Sequence, residues 1–258
     1  MMPQASGAPG IARQTIERVW SPQRRNRRDV DVYLPPSYDP AGRRRYPVVY
    51  MQDGQNLSDP AAAFAATWEL DAALADLAER GIEPIVVGVH NVADQRLVEY
   101  SPFPDRKHGG GDAARYLAFL VDTLKPRIDR AFRTARDARR TATFGSSMGG
   151  LFSLFAVLTR PDVFALAGIM SPSLWFARDR LFDFVEAARL PRGRLYLDVG
   201  TAEGAGTLRD ARTLRAMLEA KGARDGESLR YLEARGGRHD EQSWRRRFPS
   251  ALEFLLES

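Results

Sequence analysis

The chain has 258 residues, 44% hydrophobic and 28% charged, with 38 lysines and arginines against 33 acidic residues and a formal net charge of +5. That length suits one large domain burying roughly 70–75% of the surface exposed by its unfolded form. Because there is no cysteine, disulfides, thiolate nucleophiles and cysteine-ligated metals are excluded.

The positive charge sits on arginine, in runs at Arg24-Arg25, Arg27-Arg28, Arg43-Arg44-Arg45 and Arg245-Arg246-Arg247. A nucleic-acid groove needs such runs to converge among interleaved aromatics; scattered runs read instead as solvated faces, with a preference for anionic substrates as the next reading. Nucleic acid is therefore not an expected partner. No run of about 18 apolar residues is available for a membrane span. The opening MMPQASGAPG lacks the basic head and apolar core of a signal peptide, so the expected compartment is the cytoplasm, or the periplasm or exterior if a leader has been removed. Neither a composition break nor a repeat of 20–50 residues divides the chain. The expectation is a flexible terminus over residues 1–14 and a single domain over 15–258.

Residues 15–20 and 28–34 alternate in strand fashion, and Pro35, Pro36, Asp39, Pro40 and Gly42 close the second, which predicts an antiparallel opening pair. Residues 46–52 form a more continuous apolar run, expected of a strand buried on both faces, followed by the loop Asp53-Gly54-Gln55-Asn56. Helical spacing over 67–80 starts at Thr67 as a candidate cap and stops at Gly81, and 84–89 is a further buried strand. Between Asn91 and Gly111 lies a long connection that contains Arg96, Glu99, Tyr100 and an HGGG at 108–111. A helix over 112–132, capped by Asp112, is expected to bend at Pro126. Strands are expected at 163–170, 194–200 and 228–234, and helices at 207–221 and 241–257. Strands alternating with helices imply an α/β fold, a mostly parallel sheet with helices on both faces and ligands at the carboxyl ends of the strands.

The stretch that organises this pattern is Thr141 to Leu158, TATFGSSMGGLFSLFAVL, a short apolar strand running through Gly145-Ser146-Ser147-Met148-Gly149 into an apolar helix. This is the strand-elbow-helix arrangement of a nucleophilic serine. Flanking glycines let strand and helix approach, and the helix start aims free amides at the place where negative charge develops in acyl transfer. Ser147 is the residue so displayed.

An activated serine needs a base, and the histidines are His90, His108 and His239. In this class of fold the histidine follows the serine in the chain, which leaves His239, in the loop Gly236-Gly237-Arg238-His239-Asp240. His90 ends a buried strand and reads as a packed or loop-positioned side chain. The HGGG follows the wrong strand to supply an oxyanion hole. The loop in the right place is Asp53 to Asn56, so the hole is assigned to the backbone amides of Gln55 and Met148. The orienting acid should lie between the strand at 194–200 and His239. Asp198 is within that strand, Glu203 is three residues past its end, and Asp210 is near the next helix start. Loop position favours Glu203, and Asp210 stays open as the alternative.

With these motifs in order the chain resembles the esterase branch of the α/β-hydrolases that includes enterochelin esterases, esterase D, feruloyl and acetylxylan esterases and mycolyltransferases. The resemblance covers about residues 28–257. It is carried by Tyr50 to Leu57, Arg96 with Glu99 to Pro102, Gly145 to Gly150, Ser171-Pro172-Ser173-Leu174-Trp175, Asp198 to Glu203, and His239 with Glu241 and Trp244. It implies an α/β-hydrolase fold, Ser147 and His239 as nucleophile and base, Glu203 at the acid's position and Gln55 beside Met148 in the hole. Some siderophore esterases of the group use an unusual triad or a dyad. The larger enterochelin esterases carry an additional N-terminal domain for which this chain is too short.

The expected activity is a metal-free, cofactor-free serine carboxylesterase acting on a small-molecule ester through an acyl-enzyme. Trp68, Tyr100, Trp175 and Trp244 are candidates for the acyl or alcohol pocket. The competing readings are acyl transfer to an alcohol by the same triad and a catalytically inactive binding module on the same fold.

Overall fold

The computed structural model describes residues 10–58 and 66–257. Eight strands form one sheet: β1 (Ala12–Ser21), β2 (Asn26–Leu34), β3 (Val48–Gln52), β4 (Ile85–Val89), β5 (Thr141–Ser146), β6 (Leu166–Met170), β7 (Arg194–Gly200) and β8 (Leu229–Ala234). Their spatial order is β1-β2-β4-β3-β5-β6-β7-β8. β2 pairs antiparallel with both β1 and β4, and every later pairing is parallel. The helices are α1 (Leu70–Glu79), α2 (Arg96–Tyr100), α3 (Ala113–Ala118), α4 (Lys125–Ala131), α5 (Met148–Thr159), α6 (Arg178–Ala187), α7 (Ala205–Ala220) and α8 (Glu241–Leu256).

The strand period of two divides the core into two layers. Val48 and Tyr50 of β3 face a cluster with Tyr116, Phe152 and Leu214 of α3, α5 and α7. Val49 and Met51 face the opposite cluster, with Leu74 of α1 and Phe248 of α8. The central strands β3 to β6 are buried along their whole length, which accounts for their continuous apolar runs.

The structure revises several local expectations. β1 begins at Ala12 and pairs Ala12 with Leu34, inside the stretch expected to be flexible; residues 1–9 lie outside the described residues. Thr67 does not cap α1. The amides of Trp68 and Leu70 instead bond to the carbonyls of Asn56 and Leu57, which ties this stretch to the loop after β3; the chain then turns through left-handed Glu69 and the helix starts at Leu70. The helix expected over 112–132 is interrupted by a π-helical segment, Phe119–Leu124, immediately before Lys125-Pro126. Proline lacks an amide hydrogen, and a widened turn accommodates the missing bond. Asp112 stands at the N-cap position without a side-chain cap bond, its carboxylate paired with Arg24 instead.

Residues 96–100, read as loop, form the short helix α2, whose buried Glu99 explains that turn. Glu99 accepts bonds from Arg28 at 2.6 and 2.8 Å, from Asn26 at 2.9 Å and from Arg24 at 3.1 Å. Burial pushes its carboxyl up, but these donors outweigh burial and hold it below the usual carboxylate range. Arg24 and Arg28 are therefore not part of a solvated face. Their side chains, 8% and 0% exposed, tie the opening hairpin to the connection after β4.

Candidate active site

Ser147 occupies the turn between β5 and α5 with φ 57° and ψ −121°. This conformation is costly for a residue with a Cβ and persists because its surroundings fix it. The Ser147 amide donates to the Met170 carbonyl of β6, and its carbonyl accepts from Leu151 and Ser173, each at 3.0 Å. The turn is tight enough that a Cβ at Gly145 would stand 2.7–2.9 Å from the backbone of Gly149. A side chain there would drive α5 away from β5.

Two loops converge on the serine from the far side of the sheet. The turn after β7 is bound to the turn after β8 by the amides of Thr201 and Ala202, which donate to the carbonyls of Ala234 and Gly237 at 3.0 Å. A Cβ at Gly200 would lie 2.2 Å from the Gly237 oxygen, so glycine is what lets these loops touch. That contact carries Glu203 to His239. His239 Nε2 is 2.8 Å from Ser147 Oγ, and Nδ1 is 2.8 Å from Glu203 Oε2. The other oxygen of Glu203 accepts from the Gly200 amide at 2.7 Å and the Ser171 hydroxyl at 2.6 Å. Burial pushes the Glu203 carboxyl up, but hydrogen bonds from His239, Ser171 and Gly200 prevail and hold it below its ordinary value.

Asp210 is directed elsewhere: it accepts from Arg178 at 3.0 Å, and the alternative acid is thereby accounted for as an ion-pair partner. Asp198 is fully buried and bound to Arg247, whose Nε is 2.7 Å from Oδ2. Arg247 belongs to the run Arg245-Arg246-Arg247 expected on a solvated face; it is 6% exposed, and its position on the inner face of α8 explains the difference.

The loop after β3 turns through Asp53, left-handed with φ 57°. The Asp53 amide donates to the Tyr100 hydroxyl at 3.0 Å. Its carboxylate accepts two bonds from Arg96 at 2.7 Å and one from Asn91 at 2.6 Å. The Asn56 amide is taken by the Asp53 carbonyl at 2.9 Å. Among the described residues the amides of Gln55 and Met148 have no acceptor. The end of β3 and the loop after it lie against the start of α5, since a Cβ at Gly149 would be 3.0 Å from Gln52 Cβ and 3.5 Å from Asp53 Oδ2.

A cleft of about 400 Å³ opens beside Ser147 and His239, lined among others by Gln52, Asn56, Trp68, Arg96, Glu241 and Trp244. Neither Gln55 nor Met148 contributes to that wall. Trp68 and Trp244 stack at 6.1 Å, and Trp244 meets His239 edge-on at 5.0 Å. The other two aromatic candidates are placed apart from it. Tyr100 is fully buried and supports Asp53 from behind, while Trp175, 50% exposed, lines a different cavity with Arg178 and Asp210. His90 pairs with Asp31 at 2.8 Å, and His108 of the HGGG packs edge-on against Trp175 at 5.4 Å.

Residue-by-residue reading of the sequence missed Asp53, Ser171, Ser173 and Arg247. The first three lie in stretches that carry the family resemblance, yet nothing in local spacing distinguishes a positioning side chain from a turn former.

Among the described residues, no helix is long and apolar enough to cross a membrane. Over 96% of its length the fold is that of an enterobactin esterase, FES from Shigella flexneri, with a TM-score of 0.75 and 22% identity over 60% of that chain. The BES protein from Bacillus cereus superposes with a TM-score of 0.77 at 21% identity, covering 99% of this chain and 98% of that one. In sequence, the uncharacterized protein YbbA of Bacillus subtilis is 28% identical over 239 residues, 87% of this chain and 90% of YbbA. The family model described as "Putative esterase" matches residues 21–255. The chain belongs to that esterase family and is a carboxylic ester hydrolase of the α/β-hydrolase fold.

Proposed function

We propose that the chain hydrolyses a small carboxylic ester through an acyl-enzyme on Ser147, with His239 as base and Glu203 as orienting acid. The observation that carries this reading is the unbroken line from Ser147 Oγ through both ring nitrogens of His239 to Glu203 Oε2, with 2.8 Å at each junction. A carboxylate only accepts, so Nδ1 bears the hydrogen and Nε2 is left to take the Ser147 proton. His239 then protonates the leaving alcohol and activates water for deacylation. The unoccupied amides of Gln55 and Met148 are the donors for the oxyanion, a role supported by the geometry of the loop and of the α5 start.

Trp68 and Trp244 form the apolar wall against which an acyl or alcohol group would rest. The His239 side chain is 43% exposed, which favours water over an alcohol as acceptor of the acyl group. Siderophore esters, feruloyl or acetyl sugar esters and other small esters are the substrates to try. The enterobactin esterase fold and the enterochelin esterase resemblance support starting with the first. A screen across these and p-nitrophenyl acyl chains, with Ser147→Ala as blank, tests substrate and mechanism together. Ser147→Ala is expected to lower turnover roughly 10⁶-fold and to abolish fluorophosphonate labelling with the fold intact. Turnover like that of the unaltered chain would end the serine mechanism.

A further inference from the structure

The segment Ser171-Pro172-Ser173 touches both ends of the Ser147-His239-Glu203 line, and the mechanism above uses neither hydroxyl. The direction of each hydrogen bond follows by exclusion. Because the Ser147 hydrogen points to His239 Nε2, Ser147 Oγ can only accept from any other group. Ser173 Oγ lies 3.2 Å from it, so the hydroxyl of Ser173 is the donor. At the other end, Ser171 Oγ accepts from Trp244 Nε1 and from Arg247 Nη2, each at 3.0 Å. With both lone pairs engaged, its single hydrogen is directed to Glu203 Oε1, 2.6 Å away.

The backbone is fixed as strictly as the hydroxyls. Ser171 is left-handed with φ 40°, where glycine would be less strained. What serine supplies there is the hydroxyl. The Ser171 amide reaches Asp198 through both its carbonyl and Oδ1 at 3.0 Å, and the Ser173 amide donates to the Ser147 carbonyl at 3.0 Å. Both serines are at most 4% exposed, so water does not compete for them.

We propose that Ser173 is a further catalytic residue, stabilising negative charge on Ser147 Oγ, and that Ser171 is a positioning residue that turns Glu203 Oε2 to His239. The proposal rests on the triad reading. During acylation the Ser147 O–H bond breaks as Oγ bonds to the ester carbon and the proton passes to His239 Nε2; the bond from that carbon to the alcohol oxygen then breaks, and the alcohol leaves carrying the proton from His239. During deacylation a water oxygen bonds to the acyl carbon as its proton passes to His239 Nε2; the acyl carbon–Oγ bond then breaks with its electron pair on Oγ, which takes that proton from His239 as the carboxylic acid leaves. The Ser173 O–H bond is never broken; it donates a hydrogen bond as charge appears on Oγ in each step.

The test measures kcat, KM, the fluorophosphonate labelling rate and the pH dependence of kcat/KM on the full chain, with Ser147→Ala alongside. Ser173→Ala, with Ser173→Gly as second variant, is expected to lower kcat and the labelling rate about tenfold with KM unchanged. Ser171→Gly, with Ser171→Ala as second variant, removes a donor from Glu203 and makes its carboxylate more basic. The imidazolium is then better stabilised, and the acid limb of kcat/KM moves up by about half a pH unit. A purely structural role would lower stability without moving that limb. If Ser147→Ala is dead while the Ser173 and Ser171 variants keep the original kcat, labelling rate and acid limb, the proposal is overturned and the triad reading stands. An active Ser147→Ala would overturn the triad reading and this proposal with it.

Discussion

Two aspartate–arginine pairs flank the serine, alike in geometry and different in surroundings. On one side Arg247 meets Asp198 at 2.7 and 3.2 Å; on the other Arg96 meets Asp53 at 2.7 Å twice. The first pair is 7% and 0% exposed in its side chains, the second 27% and 10%. Two charges taken wholly out of water make a pair whose breaking leaves one of them stranded, whereas a pair on a cleft wall keeps some solvent and faces a ligand. The same chemistry thus serves as an internal strut behind Glu203 and as a brace for the loop that presents Gln55. Burial pulls the Arg96 guanidinium down, yet Asp53 more than compensates and keeps it charged.

The comparison is sharpened by breaking each side in turn. The largest effect is expected at the proposed acid: Glu203→Gln should keep fold and binding but lower kcat by roughly 10³–10⁴-fold, because His239 would lose the carboxylate 2.8 Å from Nδ1. Arg247→Met should next cost about 3–5 kcal/mol in urea unfolding by stranding Asp198, and the double variant with Asp198→Asn should recover part of that. Arg96→Ala should act on turnover more than on stability, lowering kcat about 10- to 100-fold as the left-handed turn at Asp53 loosens, with Arg96→Lys failing to restore it for want of a second in-plane donor. If Arg96→Ala unfolds the chain as readily as Arg247→Met, the contrast between strut and brace is wrong. Smallest of all, Asp210→Asn should change turnover less than about twofold, since its partner is Arg178 rather than the imidazole.

Glu99 provides a comparison by pH. Its folded-state pKa is depressed, so the stability it contributes is complete above the unfolded value, about 4.3, and is lost as pH falls through the lower folded value. Thermal melts of Glu99→Gln and the unaltered chain should therefore differ most at neutral pH and converge as the solution is acidified. A constant difference down to acid pH would remove Glu99 from the account.

Much of the sheet was legible in the sequence because burial on both faces writes long apolar runs, and the elbow at Ser147 because its glycines are required by contact. Glu203 and His239 were singled out by their loops, which parallel topology brings to one end of the sheet, with His239 2.8 Å from Glu203 and from Ser147 in turn. The second ring of residues was not legible. Arg247 sits in a run of three arginines and differs from its neighbours only in which face of α8 it occupies, and Asp53 looks like any turn-forming aspartate. Thr67 misled as a cap because the amides of Trp68 and Leu70 bond to the loop after β3, a contact that helical spacing does not encode. Tyr100 misled for a related reason: an aromatic near the cleft in sequence turned its hydroxyl to a backbone amide.

The opening hairpin has a consequence for how copies of the protein meet in solution. β1 is an outer strand of the sheet, paired on one side with β2, and an outer strand is where a second chain could add to a sheet. Its register breaks between Ile16 and Val19, where Arg18 adopts φ 50° and its amide donates to Asp29. Trp20, 43% exposed, lies under the guanidinium of Arg27 at 5.3 Å. A bulge that twists the strand, charge along it and a cation over its one large exposed ring are the devices that oppose edge-to-edge aggregation. The arginines of this stretch are thus placed where charge and a covered ring oppose the pairing of a second molecule along β1.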